Sequence, residues 1–385
     1  LFRHYYGADL LCLSVVCLSI SAAEHRADEV LQSLLPTQQT ESRRQRAMEY
    51  ISKLVSHALK CEKVCAYGSV PLRTYLPDGD LDITALVMEE QPEWLQQLSS
   101  YLLSEEVQTD GELEVRDVQA INAEVRLVKC VVDDLVVDIS VNSVGGLSTL
   151  CFLEEVDRGI GNNHLYKRAL LMVKAWCFYE GRLLGAHHGL MSTYAVETLL
   201  LSVFCRYGSA LKTPLEVLGK FLEVFSVFDW ENETVRVTTI SDTKASENDF
   251  SALLPSAISS CMEQYSAFGE EIMGKYSVER TFQQKNFNVA DPLQPTNNVG
   301  RSVSKANLFR IKRALACGAE AVRVALDEPK KELAIAAVDK IFKNTLHRYG
   351  SMTVDFSSPV FDFGGVGGQD SVAIVEDAAA VGKGG

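Results

Sequence analysis

Along the chain the spacing of apolar residues changes twice, from a helical period to a two-residue period and back. Arg26 to Leu35 reads as a short amphipathic helix closed by Pro36. Thr40-Glu41-Ser42 opens a longer one to about Leu59, with Met48, Ile51, Leu54, Val55 and Leu59 at helical spacing. Short β-branched runs follow at 64–67, 81–87, 115–118, 125–132 and 135–141, with one helix, Pro92 to Leu103, among them. After Asn142 the pattern predicts helices over 147–156, 164–179, 192–207, 214–225, 256–273, 304–326 and 330–349, with polar, irregular stretches at 229–250 and 274–301. No internal repeat is visible.

This order, sheet first and helices after, predicts an α+β protein. A leader occupies 1–23. Two N-terminal helices over 24–59 are expected to pack with the helical part. A palm-like sheet with helices covers 60–142, and a helical central domain covers 143–349. The tail over 350–385, rich in Gly, Ser and Ala, is expected to be disordered.

Composition narrows the function without naming it. Among 385 residues, 47% are apolar and 23% charged, as in an ordinary globular protein. The balance of 37 basic against 51 acidic residues gives −14, which argues against a dedicated duplex binder with a basic face. An enzyme that holds one nucleic-acid end in a cleft is compatible with that charge, because local charge decides such contacts. The ten cysteines are scattered through apolar runs with no C-x-x-C pair, so buried reduced thiols are expected rather than zinc. Leu10 to Ala23 is too short to span a bilayer. With Arg3 before it and Ser21-Ala22-Ala23 at its end it resembles a secretory h-region and cleavage site, but the favoured expectation is a leader without that role. The protein is accordingly expected in cytoplasm or nucleus, with no membrane partner.

The chemistry concentrates in Tyr67-Gly68-Ser69 and, ten residues on, Asp80-Leu81-Asp82-Ile83. A Gly-Ser turn after a strand exposes backbone N–H groups that can cradle phosphate, and the Ser69 hydroxyl adds a donor. Asp80 and Asp82 lie two apart on a strand, so both carboxylates face one side. They repel unless cations sit between them, and hard oxygen ligands suit Mg²⁺ or Mn²⁺. Asp138 stands alone in the apolar strand Val136-Val137-Asp138-Ile139, where an unpaired carboxylate is costly unless a metal or cleft receives it. Read separately, Asp80 and Asp82 also fit a solvated turn after Pro77-Asp78-Gly79.

Together, Gly68-Ser69, Asp80-x-Asp82 and Asp138 resemble the DNA-polymerase-β-like nucleotidyltransferase superfamily. The text from Gly68 to Asp82 is similar to terminal nucleotidyltransferases, the poly(A) polymerases and terminal uridylyltransferases, particularly their plant relatives. The resemblance covers roughly residues 24–349. It implies a polymerase-β-like palm plus a PAP/OAS1-type helical domain, and template-independent transfer from a nucleoside triphosphate to an RNA 3′ end. Attack of the 3′-OH on the α-phosphate, with pyrophosphate leaving, would use two Mg²⁺ or Mn²⁺ ions. Asp80 and Asp82 would bind both metals, and Asp138 the one that activates the 3′-OH.

The resemblance implies further roles in the helical part. Lys174, in Val173-Lys174-Ala175-Trp176, would contact the triphosphate, although as a bare residue it also reads as a snorkelling surface lysine. Where many relatives carry a second lysine one turn later, Phe178 stands here. In Gly189-Leu190-Met191-Ser192-Thr193-Tyr194, Ser192 would cap a helix, Thr193 reach the triphosphate and Tyr194 stack on the base. The stretch from Asp291 to Arg301 resembles the nucleotide-recognition loop, with Asp291 fixing the loop and Asn297 and Asn298 reading a base edge. Uridylating members often carry His at the place of Asn297, so ATP is favoured over UTP. Ser148-Thr149 replace an Asn that contacts ribose in many relatives.

Three features stand outside that core of motifs. Arg301, Lys305, Arg310, Lys312 and Arg313 form a basic run; Arg301, Lys305 and Arg310 are placed on the RNA path, against the alternative of a solvated helix face. His187-His188 lack ligand partners at metal spacing. No RNA-binding module is visible, so a protein partner is expected to choose the RNA. The competing functions are a nucleotidyltransferase acting on a small molecule or protein, and a catalytically silent RNA-binding or scaffold relative.

Overall fold

A computed structural model describes residues 21–61, 63–87, 91–106, 113–123, 126–237 and 281–350. The leader before residue 21, the helix expected over 256–273 and the tail from 351 lie outside the described residues.

Two helices open the chain. In α1 (Ala22–Leu34), Ser21 accepts a hydrogen bond from the Glu24 amide and Glu24 reaches back to the Ser21 amide, a reciprocal cap. In α2 (Gln38–Leu59), Thr37 and Thr40 cap each other in the same way. The sheet follows, with β1 (Lys63–Tyr67), β2 (Leu81–Leu86), helix α3 (Trp94–Glu106), β3 (Val115–Asn122), β4 (Arg126–Val132) and β5 (Leu135–Val141). Strand order is β1-β2-β5-β4-β3. Only β2 and β5 run parallel; the other pairs are antiparallel. The β4–β5 hairpin turns on Asp133 and Asp134, both at positive φ (49° and 60°), the twist that two-residue hairpin loops favour.

The described residues after β5 carry helices: α4 (Val144–Ile160), α5 (Leu165–Ala175), a π-helical turn (Trp176–Glu180), α6 (Thr193–Tyr207), α7 (Pro214–Val227), α8 (Lys305–Asp327), α9 (Lys331–Ile341) and α10 (Lys343–Tyr349). The single helix expected over 330–349 is broken at Phe342, whose φ of −111° and ψ of 30° leave the helical range while its buried ring anchors the bend. Likewise the helix expected over 164–179 widens into the π turn after Ala175, with five-residue spacing such as Gly181 N to Trp176 O (2.8 Å). Buried Lys167 bridges both Glu154 oxygens at 2.8 and 2.9 Å and so ties α5 to α4.

Two apolar cores form. One joins α2, the sheet and α3; the other joins α1 with the later helices, including Leu72 and Leu76 from the β1–β2 connection. The two N-terminal helices therefore part company. Ala27, Val30 and Leu31 of α1 enter the helical core, while Ile51, Val55 and Leu59 of α2 lie against the sheet, contrary to the expectation that both pack with the helical part. Of the described cysteines, Cys61, Cys65, Cys130, Cys151, Cys177 and Cys205 are buried free thiols and Cys317 is exposed. Among the described residues no helix is long and apolar enough to cross a membrane.

Candidate active site

Strand register brings the three acids together. In the parallel pairing of β2 with β5, Asp82 lies directly beside Asp138. Asp80 precedes β2 by one residue rather than lying within it, and still falls two positions from Asp82 on the same side. Carboxylate oxygens of Asp80, Asp82 and Asp138 all lie within 4.8 Å of one another, at partly buried positions. Three like charges so close raise the cost of ionisation. Burial pushes the Asp82 carboxyl up to about 7, with the charges of Asp80 and Asp138 adding to it. Burial also raises Asp138. A carboxylate set that resists its own ionisation fits divalent cations, which remove the repulsion.

Asp138 has one cationic partner on the sheet. Lys129 of β4 is its register neighbour; Nζ donates to Oδ2 at 3.0 Å and lies 2.7 Å from Oδ1. Sequence reasoning missed this lysine, although the two-residue turn at 133–134 fixes the pairing of 132 with 135 and, counting back, of 129 with 138.

The Gly-Ser turn lies against the acids. Gly68 has φ 74°, and a Cβ there would sit 2.7 Å from Asp82 Oδ2, so any side chain strains the backbone and displaces that carboxylate. From Gly68 to Thr74 the chain turns tightly, with Leu72 N on Gly68 O (3.3 Å) and Thr74 N on Ser69 O (2.9 Å). The segment between this turn and Asp80 is held by side chains from four helical elements. Buried Arg44 of α2 donates to Gly79 O (2.9 Å) and Pro77 O (3.2 Å), and its guanidinium lies over the Tyr75 ring. Tyr179 of the π turn donates to Asp78 at 3.4 Å, as does Arg348 of α10. Lys174 Nζ donates to Thr74 O at 2.8 Å. Arg44 and Tyr179 carried no signal in the sequence, since their partners are backbone carbonyls and loop residues far along the chain.

Lys174 is only 4% exposed. Burial lowers its pKa, while the charges of Glu197, Asp80 and Asp82 pull it back up. It is therefore not the snorkelling lysine of one sequence reading; its ammonium lies beneath the Asp80 connection.

On the helical side, Ser192 caps α6 by accepting from Ala195 N (3.1 Å) and donates to Val299 O (3.0 Å). Thr193 is exposed at the first position of α6. Tyr194 donates to Asp291 Oδ1 at 2.8 Å, and burial followed by that carboxylate raises its phenol far above the ordinary range. Asp291 also accepts from the amides of Leu293 (2.9 Å) and Gln294 (3.3 Å), and from Asn297 Nδ2 (3.0 Å), so it organises the loop. Arg301 donates to Asn297 Oδ1 at 3.1 Å, which together with Asp291 fixes which way the Asn297 amide points.

Asn298 differs from its expected role. At 3% exposure its Oδ1 accepts from Val289 N (3.1 Å) and Gly300 N (3.0 Å), and its Nδ2 donates to Gln283 O (3.1 Å) and Asn288 Oδ1 (3.0 Å). A carboxamide has two donor hydrogens and two acceptor lone pairs, and all are engaged, so Asn298 braces the loop instead of facing a base. Ser148 likewise turns its hydroxyl onto its own helix, at Val144 O (3.0 Å).

An acid-bearing palm joined to a helical domain is the layout of a nucleotidyltransferase, and family comparison agrees. The model for the poly(A) RNA polymerase, mitochondrial-like, central palm domain matches residues 24–154, and the PAP/OAS1 substrate-binding domain matches residues 160–346. The chain belongs to the PAP/OAS1-like nucleotidyltransferase superfamily, in its terminal-nucleotidyltransferase family, and is an enzyme of the RNA terminal-nucleotidyltransferase type. Similar solved folds include a cytoplasmic RNA terminal U-transferase, 14% identical with TM-score 0.58, the match covering 84% of this chain and 98% of that one. The Cid1 poly(U) polymerase is 13% identical with TM-score 0.58, covering 84% and 99%. Comparison with curated proteins gives no match. The matches carry no sign of the plant relationship suggested by residues 68–82.

Proposed function

We propose that this chain adds nucleotides without a template to RNA 3′ ends, drawing them from a nucleoside triphosphate. The observation that carries the reading is the convergence of Asp80, Asp82 and Asp138 within 4.8 Å beside the Gly68 turn. The donor set, three hard carboxylates that repel one another, fits Mg²⁺ or Mn²⁺; Asp80 and Asp82 would hold both of two such ions and Asp138 would hold one. When bound, such ions supply charge neutralisation and a more acidic 3′-OH. The 3′-OH gives up its proton, finally to solvent, its oxygen bonds to the α-phosphorus as the bond to the β-phosphate breaks, and pyrophosphate leaves.

The chain's own groups bind and orient. Gly68 and Ser69 offer N–H and hydroxyl donors to phosphate. Lys174, Arg44 and Tyr179 hold the Asp80 connection, and Lys174 adds positive charge behind the acids. Thr193 at the exposed start of α6 faces the triphosphate, and the Tyr194 ring, anchored through Asp291, stacks on the base. Asn297 presents its remaining N–H and lone pair to a base edge. Residues 60–142 form the catalytic unit and 143–349 the nucleotide-recognising unit, with RNA choice left to a protein partner.

Uridylyl transfer is the better supported specificity: the similar solved enzymes are named for U-addition or UTP selectivity. That displaces the preference for ATP read from the sequence. Adenylyl transfer stays as a second reading on one observation, the fixed carboxamide at Asn297. A histidine-to-asparagine variant of the Cid1 enzyme has been crystallised with MgATP. Primer extension of a labelled RNA with each of the four triphosphates, in Mg²⁺ or Mn²⁺, tests both. UTP incorporation supports the first reading and ATP incorporation the second; extension by neither, or extension that survives Asp80→Ala, removes the proposal.

A further inference from the structure

Phe309 stands 59% exposed on α8, a large apolar ring left in water. Lys305 lies one turn before it and Arg313 one turn after, both exposed, while Leu308, Ile311 and Leu315 take the buried side of the helix. From Arg301 to Arg313 the chain carries Arg301, Lys305, Arg310, Lys312 and Arg313 and no acid, in a protein whose formal charge is −14. Lys312 acts on Asp229, so its charge is partly answered. Arg310 donates to a neutral partner, the Arg182 carbonyl, at 2.9 Å and keeps its charge outward. Lys305 and Arg313 enter no ion pair among the described residues.

This helix starts against the short turn at Ala186–His188 and Gly189. Ser304 N binds Gly189 O (3.0 Å), and Asn307 Nδ2 donates to His188 O (3.0 Å) and Gly189 O (2.8 Å). At 1.5 Å per residue, Phe309 lies about 6 Å along the axis from Lys305. A protein-docking patch would gather apolar side chains and few charges at its centre. One lone ring among cations is instead the combination that follows single-stranded nucleic acid, with cations along the phosphates and a ring under a base of any identity.

We infer that the outer face of α8 from Lys305 to Arg313 is a track for single-stranded RNA, with Phe309 stacking on a base upstream of the 3′ end. The inference rests on the RNA-terminal reading above and extends it to a residue with no part in the chemistry.

Fluorescence anisotropy with a labelled single-stranded oligoribonucleotide tests it on the full chain, in EDTA so that no transfer occurs. Phe309→Ala raises Kd about 5- to 150-fold, and Phe309→Trp restores binding. Replacing Lys305 and Arg313 together by Ala lowers the slope of log affinity against log salt by about 1.4. Leu333→Ala, at an exposed apolar position of α9, leaves Kd unchanged. In primer extension Phe309→Ala raises KM for RNA and spares kcat at saturating primer. A wild-type Kd in Phe309→Ala overturns the proposal, as does a loss that Trp fails to restore. If Phe309→Ala instead weakens association with another protein and leaves RNA affinity intact, the proposal is likewise overturned. Failure of the terminal-transfer reading shows separately, as a wild-type chain that binds the oligonucleotide yet extends no primer.

Discussion

Replacing Gly68 by alanine separates the cost of folding from the cost of catalysis. The backbone there sits at φ 74°, a left-handed conformation that costs an L-residue about 1–2 kcal/mol. The added Cβ would also lie 2.7 Å from Asp82 Oδ2, inside van der Waals contact. The clashing atom is the end of a carboxylate, which can rotate, so relief is cheap for the fold. Stability should therefore fall by little more than the backbone cost, a Tm drop of roughly 2–4 °C. Rotation, however, takes Asp82 out of a cluster that closes within 4.8 Å, and a misplacement of about 1 Å in a reacting constellation costs about a hundredfold in rate. The assay is steady-state primer extension at saturating triphosphate and metal, paired with a thermal melt. Gly145→Ala serves as the control, because a Cβ there meets nothing within 4 Å. Wild-type kcat in Gly68→Ala would refute the placement of Asp82 in the catalytic cluster; so would inactivity that arises only with global unfolding.

Other perturbations address the same site. Lys129→Met removes the cation that lowers the Asp138 pKa, so the acidic limb of the rate profile should move to higher pH; an unmoved limb would detach Lys129 from the site. Asp82 has its carboxyl raised from 3.8 to about 7 in the fold. Between those values the folded chain keeps a proton that the unfolded chain has lost, so metal-free stability should fall as pH rises through that window and level off above about 7. Saturating Mg²⁺ should flatten the dependence, and melts that are equally steep with and without Mg²⁺ would count against metal binding at Asp82. Asn298→Ala strands the Val289 and Gly300 amides and the Gln283 carbonyl, and should cost about 2–4 kcal/mol with the UTP-to-ATP ratio unchanged. A changed ratio at unchanged stability would restore Asn298 to base recognition.

Much of the site was legible in the sequence because strands have a period of two and hairpins a countable register. Asp80-x-Asp82, an isolated acid in the apolar run at 136–139 and a Gly-Ser turn are local statements about faces and backbone freedom. What local pattern missed shares one cause. Arg44 and Tyr179 reach loop carbonyls or a carboxylate, and neither their partners nor their burial follows from period or spacing. The division of α1 and α2 between two cores was equally hidden, since both show an ordinary amphipathic stripe that does not say what it packs against.

The chain's own text thus determined the elements, their order and the residue types able to hold divalent ions, all of which depend on neighbours within a few positions. Tertiary structure alone decided that β2 and β5 lie side by side in parallel, which sets Asp82 against Asp138 across 56 positions of sequence. It also decided that Asn298 is sealed inside its loop while Asn297 stays at the surface of it. Adjacent residues of one type received opposite fates because burial and hydrogen-bond saturation are properties of the surroundings, which only the folded chain supplies.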